Sequence, residues 1–216
     1  ARAVLAKFSG VPDDSHAAPL PAGPAGGTGM RALARGGYAP LTAGLAVCGI
    51  AWGLVNFGFL LWLPTNVRAM GMDAGTAGAL LARSAFFALP GSLLVIWLYH
   101  RWSSIRSLAL FIALTAACLA GFFILGRAGI SSVTAMAAVT ALLLVSSSGV
   151  VAMLIPYATE IYPVHLRATG AGVIAGSSKL GGILGAALGV LGLFADLALS
   201  ALLIAIPLAL SAALLL

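Results

Sequence analysis

Arg83 and Lys179 each interrupt a long apolar run, and they are the residues of this sequence with the strongest claim to chemistry. An ionised side chain inside a bilayer costs several kcal/mol unless it faces water, a partner or a ligand. Lys179 lies roughly 16 Å into its run at 1.5 Å per residue, close to the midplane and too deep to reach the headgroups with ease. Arg83 lies roughly 10 Å in and can extend outward. No Asp or Glu falls within the apolar runs, so neither cation has an acidic partner at membrane depth in this chain. The partner is then a carboxylate elsewhere or the solute itself, and the second option predicts an anionic small-molecule substrate. Asn56 and the trio Ser146, Ser147 and Ser148 sit near the centres of two other runs and offer neutral hydrogen-bonding groups. Serines in packed membrane helices also satisfy themselves on the preceding turn, so packing competes with binding as their role.

These side chains need elements long enough to hold them at depth. Hydrophobic residues make up 62% of the 216 positions and charged ones 7%, which excludes a soluble single-core domain and makes the lipid bilayer the solvent. A helix crosses the hydrocarbon layer in roughly 20 residues. The expected fold is an all-α membrane protein with six transmembrane helices, at 41–67, 77–98, 108–126, 133–157, 168–194 and 197–216, inside a domain spanning 39–216. Polar breaks separate them, the most polar being 158–167, which is expected to be a tight helix-to-helix loop. Residues 1–38 read as a largely disordered linker, Pro/Gly/Ala-rich from Gly10 to Gly29 and without the apolar core of a signal peptide. The chain opens without Met and closes on Leu214, Leu215 and Leu216 in an uninterrupted apolar run, so it reads as a fragment.

The formal charge of +6 would suggest nucleic acid in a soluble protein. Placed on six spans, it becomes a topological signature. Arg2, Lys7, Arg31, Arg35, Arg101, Arg106 and Arg167 fall on one side, against Arg68 and Arg127 on the other, which puts both ends in the cytoplasm of a cell, in the manner of a bacterial inner-membrane protein. No nucleic-acid partner is expected. Cys48 and Cys118 stand alone in apolar runs, so neither metal nor other cofactor is expected. Gly181, Gly185 and Gly189 form a small-xxx-small ladder that lets two helices approach closely, and Pro90 and Pro156 predict kinks.

The segment Pro156-Tyr157-x2-Glu160-Ile161-Tyr162-Pro163-x3-Arg167-x2-Gly170 resembles the E-x2-P-x3-R signature of the major facilitator superfamily, at the loop between its tenth and eleventh helices. Its continuation through Gly172 to Lys179-Leu180-Gly181-Gly182 is similar to the sugar-porter and metabolite:proton symporter branches. Gly91 followed by His100-Arg101 is similar to the G-x8-D-R stretch between helices eight and nine, with His100 in place of the acid. The resemblance implies helices seven to twelve, arranged as two inverted three-helix repeats, with an N-terminal six-helix half as partner and 1–38 as the central cytoplasmic loop. It also implies proton coupling, through an acid in that other half, and a cytoplasmic gate made by Glu160, Arg167 and Arg101.

The expected function is therefore the C-terminal half of a secondary active transporter. It would move a small organic solute, a carboxylate metabolite in the first place, by alternating access, with Lys179, Arg83, Asn56 and Ser147 on the substrate path. A sugar or polyol porter of the same superfamily is the alternative, and a stand-alone six-helix scaffold that dimerises through the glycine ladder is another. An enzyme is not expected: an intramembrane serine protease using Ser148 would need a base, and His16, His100 and His165 all lie in loops.

Overall fold

The computed structural model describes residues 29–35, 37–69, 71, 73–129 and 132–215. A short helix, α1 (Met30–Arg35), precedes six helices long and apolar enough to cross a membrane. These are α2 (Ala39–Ala69), α3 (Ala74–Arg101), α4 (Ser104–Arg127), α5 (Val133–Ile161), α6 (Val164–Val190) and α7 (Leu197–Leu215). No strand occurs among the described residues. Of the linker expected over 1–38, residues 1–28 and 36 lie outside the described residues, and the rest is not wholly irregular. Met30–Arg35, within that expected linker, is helical with Leu33 buried against the bundle.

The two ends of the bundle are closed by different chemistry. At one end α2, α4 and α6 are each followed by a glycine at positive φ: Gly71 at 93°, Gly129 at 64° and Gly192 at 78°. A left-handed residue there terminates the helix, and glycine adopts it without a Cβ clash. The helices that restart at this end carry side-chain caps. Asp73 Oδ1 accepts from the Gly75 and Thr76 amides at 2.9 and 3.0 Å, and Asp196 Oδ1 accepts from the Leu199 amide at 2.9 Å. At the opposite end the connections are shorter. The polar stretch 158–167, expected as a loop, is nearly all helix, and only Tyr162 and Pro163 break it. Hydropathy marks where lipid ends, whereas a helix ends where its backbone must. Pro163 pushes Tyr162 to an extended ψ of 136° and then starts α6.

The helices pack in a pattern that is unchanged when α2, α3 and α4 are exchanged for α5, α6 and α7. α2 packs on α6 as α5 packs on α3, α2 on α7 as α5 on α4, and α4 and α7 on each other. Three spans reverse the chain's direction, so the second unit is inverted relative to the first, and the fold is half of a major-facilitator architecture. One continuous core joins the helices, with Leu45, Val55 and Leu63 of α2, Phe122 of α4, Leu143 of α5, and Ile204 and Leu208 of α7 among its buried residues. Phe59 of α2 meets Phe122 of α4 edge to face, centroids 4.9 Å apart.

The tightest contact joins α2 to α6. A Cβ on Gly53 would lie 2.7 Å from the Gly181 carbonyl carbon, one on Gly185 would lie 2.7 Å from the Gly58 nitrogen, and one on Gly181 would collide with the Ile50 carbonyl. The ladder of α6 is thus met by Gly53 and Gly58 on α2, a counterpart that the spacing on α6 alone does not name, while Gly49 faces Ile174, Ser177 and Ser178 earlier on α6. Its use as a dimer interface is corrected: the ladder is consumed inside the chain, because backbone atoms already fill the space a partner would need. Gly172 and Gly176, on the same helix, face open space. Gly181→Ala and Gly185→Ala should therefore destabilise the bundle by about 1–3 kcal/mol, the usual range for overpacking. Gly176→Ala should instead be neutral or stabilising by up to about 1 kcal/mol through helix propensity. Denaturant unfolding in detergent micelles would measure both.

Candidate functional site

α2 is not α-helical throughout. Leu54–Leu60 forms a π-helical stretch at mid-span, and Pro64 follows it. Proline has no N–H to close on the Leu60 carbonyl, so the regular ladder cannot resume unchanged there. Such wide turns occur mostly as short insertions and often at functional positions. Asn56 sits in this stretch, half-buried.

Asn56 Nδ2 donates to Ser147 Oγ at 2.7 Å and to the Trp52 carbonyl at 2.9 Å, and Trp52 Nε1 donates to the Ser147 carbonyl at 2.9 Å. Ser147 is the central residue of α5 and is fully buried. The two sequence candidates are thus brought together across α2 and α5, the first helices of the two repeats. The Trp52 carbonyl can only accept, so the amide nitrogen must face it, and this fixes the orientation of the side chain. Both amide hydrogens are then committed. The Asn56 Oδ1 atom has no hydrogen-bond partner among the described residues and remains an acceptor for a ligand. The neighbouring serines divide: Ser146 is buried and donates to the Leu143 carbonyl at 3.1 Å, while Ser148 is exposed.

Lys179 lies just past the middle of α6, on an exposed face of the bundle. At about 100° per residue it points about 120–160° away from Gly181 and Gly185, the face taken by α2. Gly172, Ala175 and Gly176 surround it on the cytoplasm-facing side expected from the charge count. Arg83 lies nine residues into α3, about 14 Å at 1.5 Å per residue. It shares a cavity of about 300 Å³ with Asp73, Thr76, Leu80 and Val133. That cavity brings an acid from the helix end, rather than from membrane depth, into the surroundings of Arg83. The Thr76 hydroxyl and amide hold the Asp73 carboxyl below the usual carboxylate range, so it is ionised at neutral pH. Neither Lys179 nor Arg83 contributes to the Asn56 and Ser147 network.

At the end of the bundle holding the short connections, Glu160 occupies the last turn of α5 and Arg167 the first turn of α6. Ser104, which opens α4, donates to Glu160 Oε1 at 3.1 Å. Arg101 ends α3, and Arg101 and Arg167 are both exposed. Between Glu160 and Arg167 lies Tyr162, which is fully buried: its hydroxyl pairs with Thr42 Oγ1 at 2.7 Å, Tyr38 meets its ring edge-on, and the missing side chain of Gly170 makes room for it. The signal was the pair Tyr162 and Gly170, about two helical turns apart.

An inverted repeat of three membrane helices, polar groups at its midplane and charges at one mouth define a polytopic membrane transporter. The family model for the Major Facilitator Superfamily matches residues 3–186. The chain belongs to that superfamily. No curated protein matches it.

Ser147→Ala removes the acceptor of one Asn56 hydrogen while leaving the Trp52 bond. It should cost about 0.5–1.5 kcal/mol of stability. Asn56→Leu should cost more than Ser147→Ala, because it removes both Asn56 bonds and inserts branched bulk into the wide turn. Comparative unfolding of the two variants in micelles checks the order.

Proposed function

We propose that the chain is the C-terminal six-helix part of a secondary active transporter that moves a small carboxylate metabolite across the cell membrane by alternating access. The observation that carries this reading is Lys179: an intramembrane cation near mid-span, on an exposed face lined by Gly172, Ala175 and Gly176. The acids of the described residues, Asp73, Glu160 and Asp196, all lie at helix ends, so a solute carboxylate is the natural counter-ion for Lys179. Small residues beside it leave space for that solute, whereas a face meeting lipid alone has no need of glycine. Both termini lie in the cytoplasm, in keeping with the excess of arginines at the mouth that holds Arg101, Arg106 and Arg167. The N-terminal six-helix half completes the cavity and supplies the acid that couples transport to protons.

A sugar or polyol substrate is the second reading, favoured by Asn56. Its free Oδ1 acceptor suits a hydroxyl donor and repels a carboxylate. Uptake of radiolabelled organic acids and sugars by the full-length protein separates the two. Lys179→Ala should raise KM for organic acids by about tenfold or more, the loss of one charge-assisted contact, with Lys179→Arg retaining part of the activity. Uptake of acids unaffected by Lys179→Ala removes the residue from the path, and uptake confined to sugars sinks the anion reading.

Glu160, Arg167 and Arg101 form the cytoplasmic gate. Glu160 ends α5 and Arg167 begins α6, so each charge sits at the unfavourable end of its own helix dipole. Charges so placed gain by pairing across the mouth and lose the pair when the halves rock. Glu160→Gln and Arg167→Gln should each slow transport more than they lower thermal stability. Normal exchange rates in both variants would reduce the pair to an interfacial contact.

A further inference from the structure

A second polar site lies at the end of the bundle closed by Gly71, Gly129 and Gly192, away from Lys179, Asn56 and Ser147. A cavity of about 220 Å³ opens there between the last turn of α2, the end of α4 and the α6–α7 turn, lined by Asn66, Ala69, Gly126, Ala195, Asp196 and Ala198 among others. Asn66 is only 3% exposed, yet its Nδ2 has no hydrogen-bond partner among the described residues. A buried amide left unpaired is rare in a native fold, and an ordered water or ligand is one way to complete it. Across the cavity, Asp196 spends Oδ1 on the Leu199 amide, and no hydrogen bond to its Oδ2 occurs among the described residues.

These two groups select their ligand. An N–H donor on one wall and a carboxylate acceptor on another are satisfied together by a group that both accepts and donates. A bare anion meets the Asp196 charge, and a metal cation or an ammonium group cannot accept from Nδ2. A hydroxyl does both: its oxygen takes the Asn66 hydrogen and its proton goes to Asp196. The rest of the wall is alanine, glycine and leucine, which leaves room without adding competing polar groups. The space exceeds the share of one water, about 30 Å³, and admits several waters or a molecule the size of glycerol.

We propose that this cavity is a binding site for a hydroxyl-bearing molecule, water or a small polyol, which bridges Asn66 to Asp196 and so ties the end of the first span to the turn between the last two. The site is independent of the transport reading, since it uses none of its residues.

Nuclear magnetic resonance of the full chain in lipid nanodiscs, with side-chain 15N-labelled asparagine, tests it using water and glycerol as probes. The Asn66 amide protons should show a cross-peak to long-lived water, or a saturable shift on glycerol titration. The first result assigns the hydroxyl to water and the second to a polyol. Asp196→Asn keeps a competent helix cap and removes the charge, so it should abolish the water cross-peak or weaken glycerol binding about tenfold. Absence of both signals overturns the proposal. So does either signal persisting unchanged in Asp196→Asn, because the carboxylate would then be no partner.

Discussion

Backbone meets backbone where α2 crosses α6, and the positions of the other functional groups depend on that contact. Lipid offers little hydrophobic drive for helices to associate, so close van der Waals contact has to supply it. Gly53 and Gly58 on one helix and Gly181 and Gly185 on the other allow an approach that any side chain would prevent. The same contact sets the rotation of α6. With one face given to α2, Lys179 on the far side is left facing outward. It also sets the height of α2, and thereby the level at which Asn56 meets α5.

The midplane bonds follow from that register. Asn56 and Ser147 lie on helices that exchange under the internal repeat, so the polar link sits at the centre of the pseudo-symmetric unit. A regular α-helix and a π-helical stretch present their faces differently, since the wider turn holds an extra residue. The stretch Leu54–Leu60 therefore rotates the outer part of α2 relative to its inner part.

Much of this was legible in the residues, and what was not has physical reasons. Six spans followed from apolar run length, because the bilayer imposes a minimum helix that composition cannot hide. The Gly181 ladder announced a close contact but not its partner, since a spacing describes one surface and its counterparts Gly53 and Gly58 lie five residues apart rather than four. The pairing of Asn56 with Ser147 depends on relative helix height, which no single run encodes. The π-helical stretch was hidden because the hydrogen-bond pattern of α2 is decided by packing as well as by Pro64. The burial of Tyr162 was not legible because an aromatic beside a polar break fits a headgroup girdle as well as a core. Gly170, reached only through the turn, decides between them.

That turn holds two kinds of restraint side by side. Tyr162 is bound into the bundle, through the Thr42 hydroxyl and the backbone space at Gly170, and it pins α2 to the start of α6. Its neighbours are held differently. Glu160 closes a helix at its negative end and Arg167 opens one at its positive end, so neither charge gains from its own backbone. Their stabilisation has to come from groups on other elements, and the Ser104 hydroxyl at the start of α4 is one such group. A residue held by buried contacts resists displacement with the full cost of exposing them, while exposed charges are held by interactions that water can replace at little cost. The α5–α6 connection thus combines a fixed pivot with exchangeable contacts on either side of it, two or five residues away along the chain.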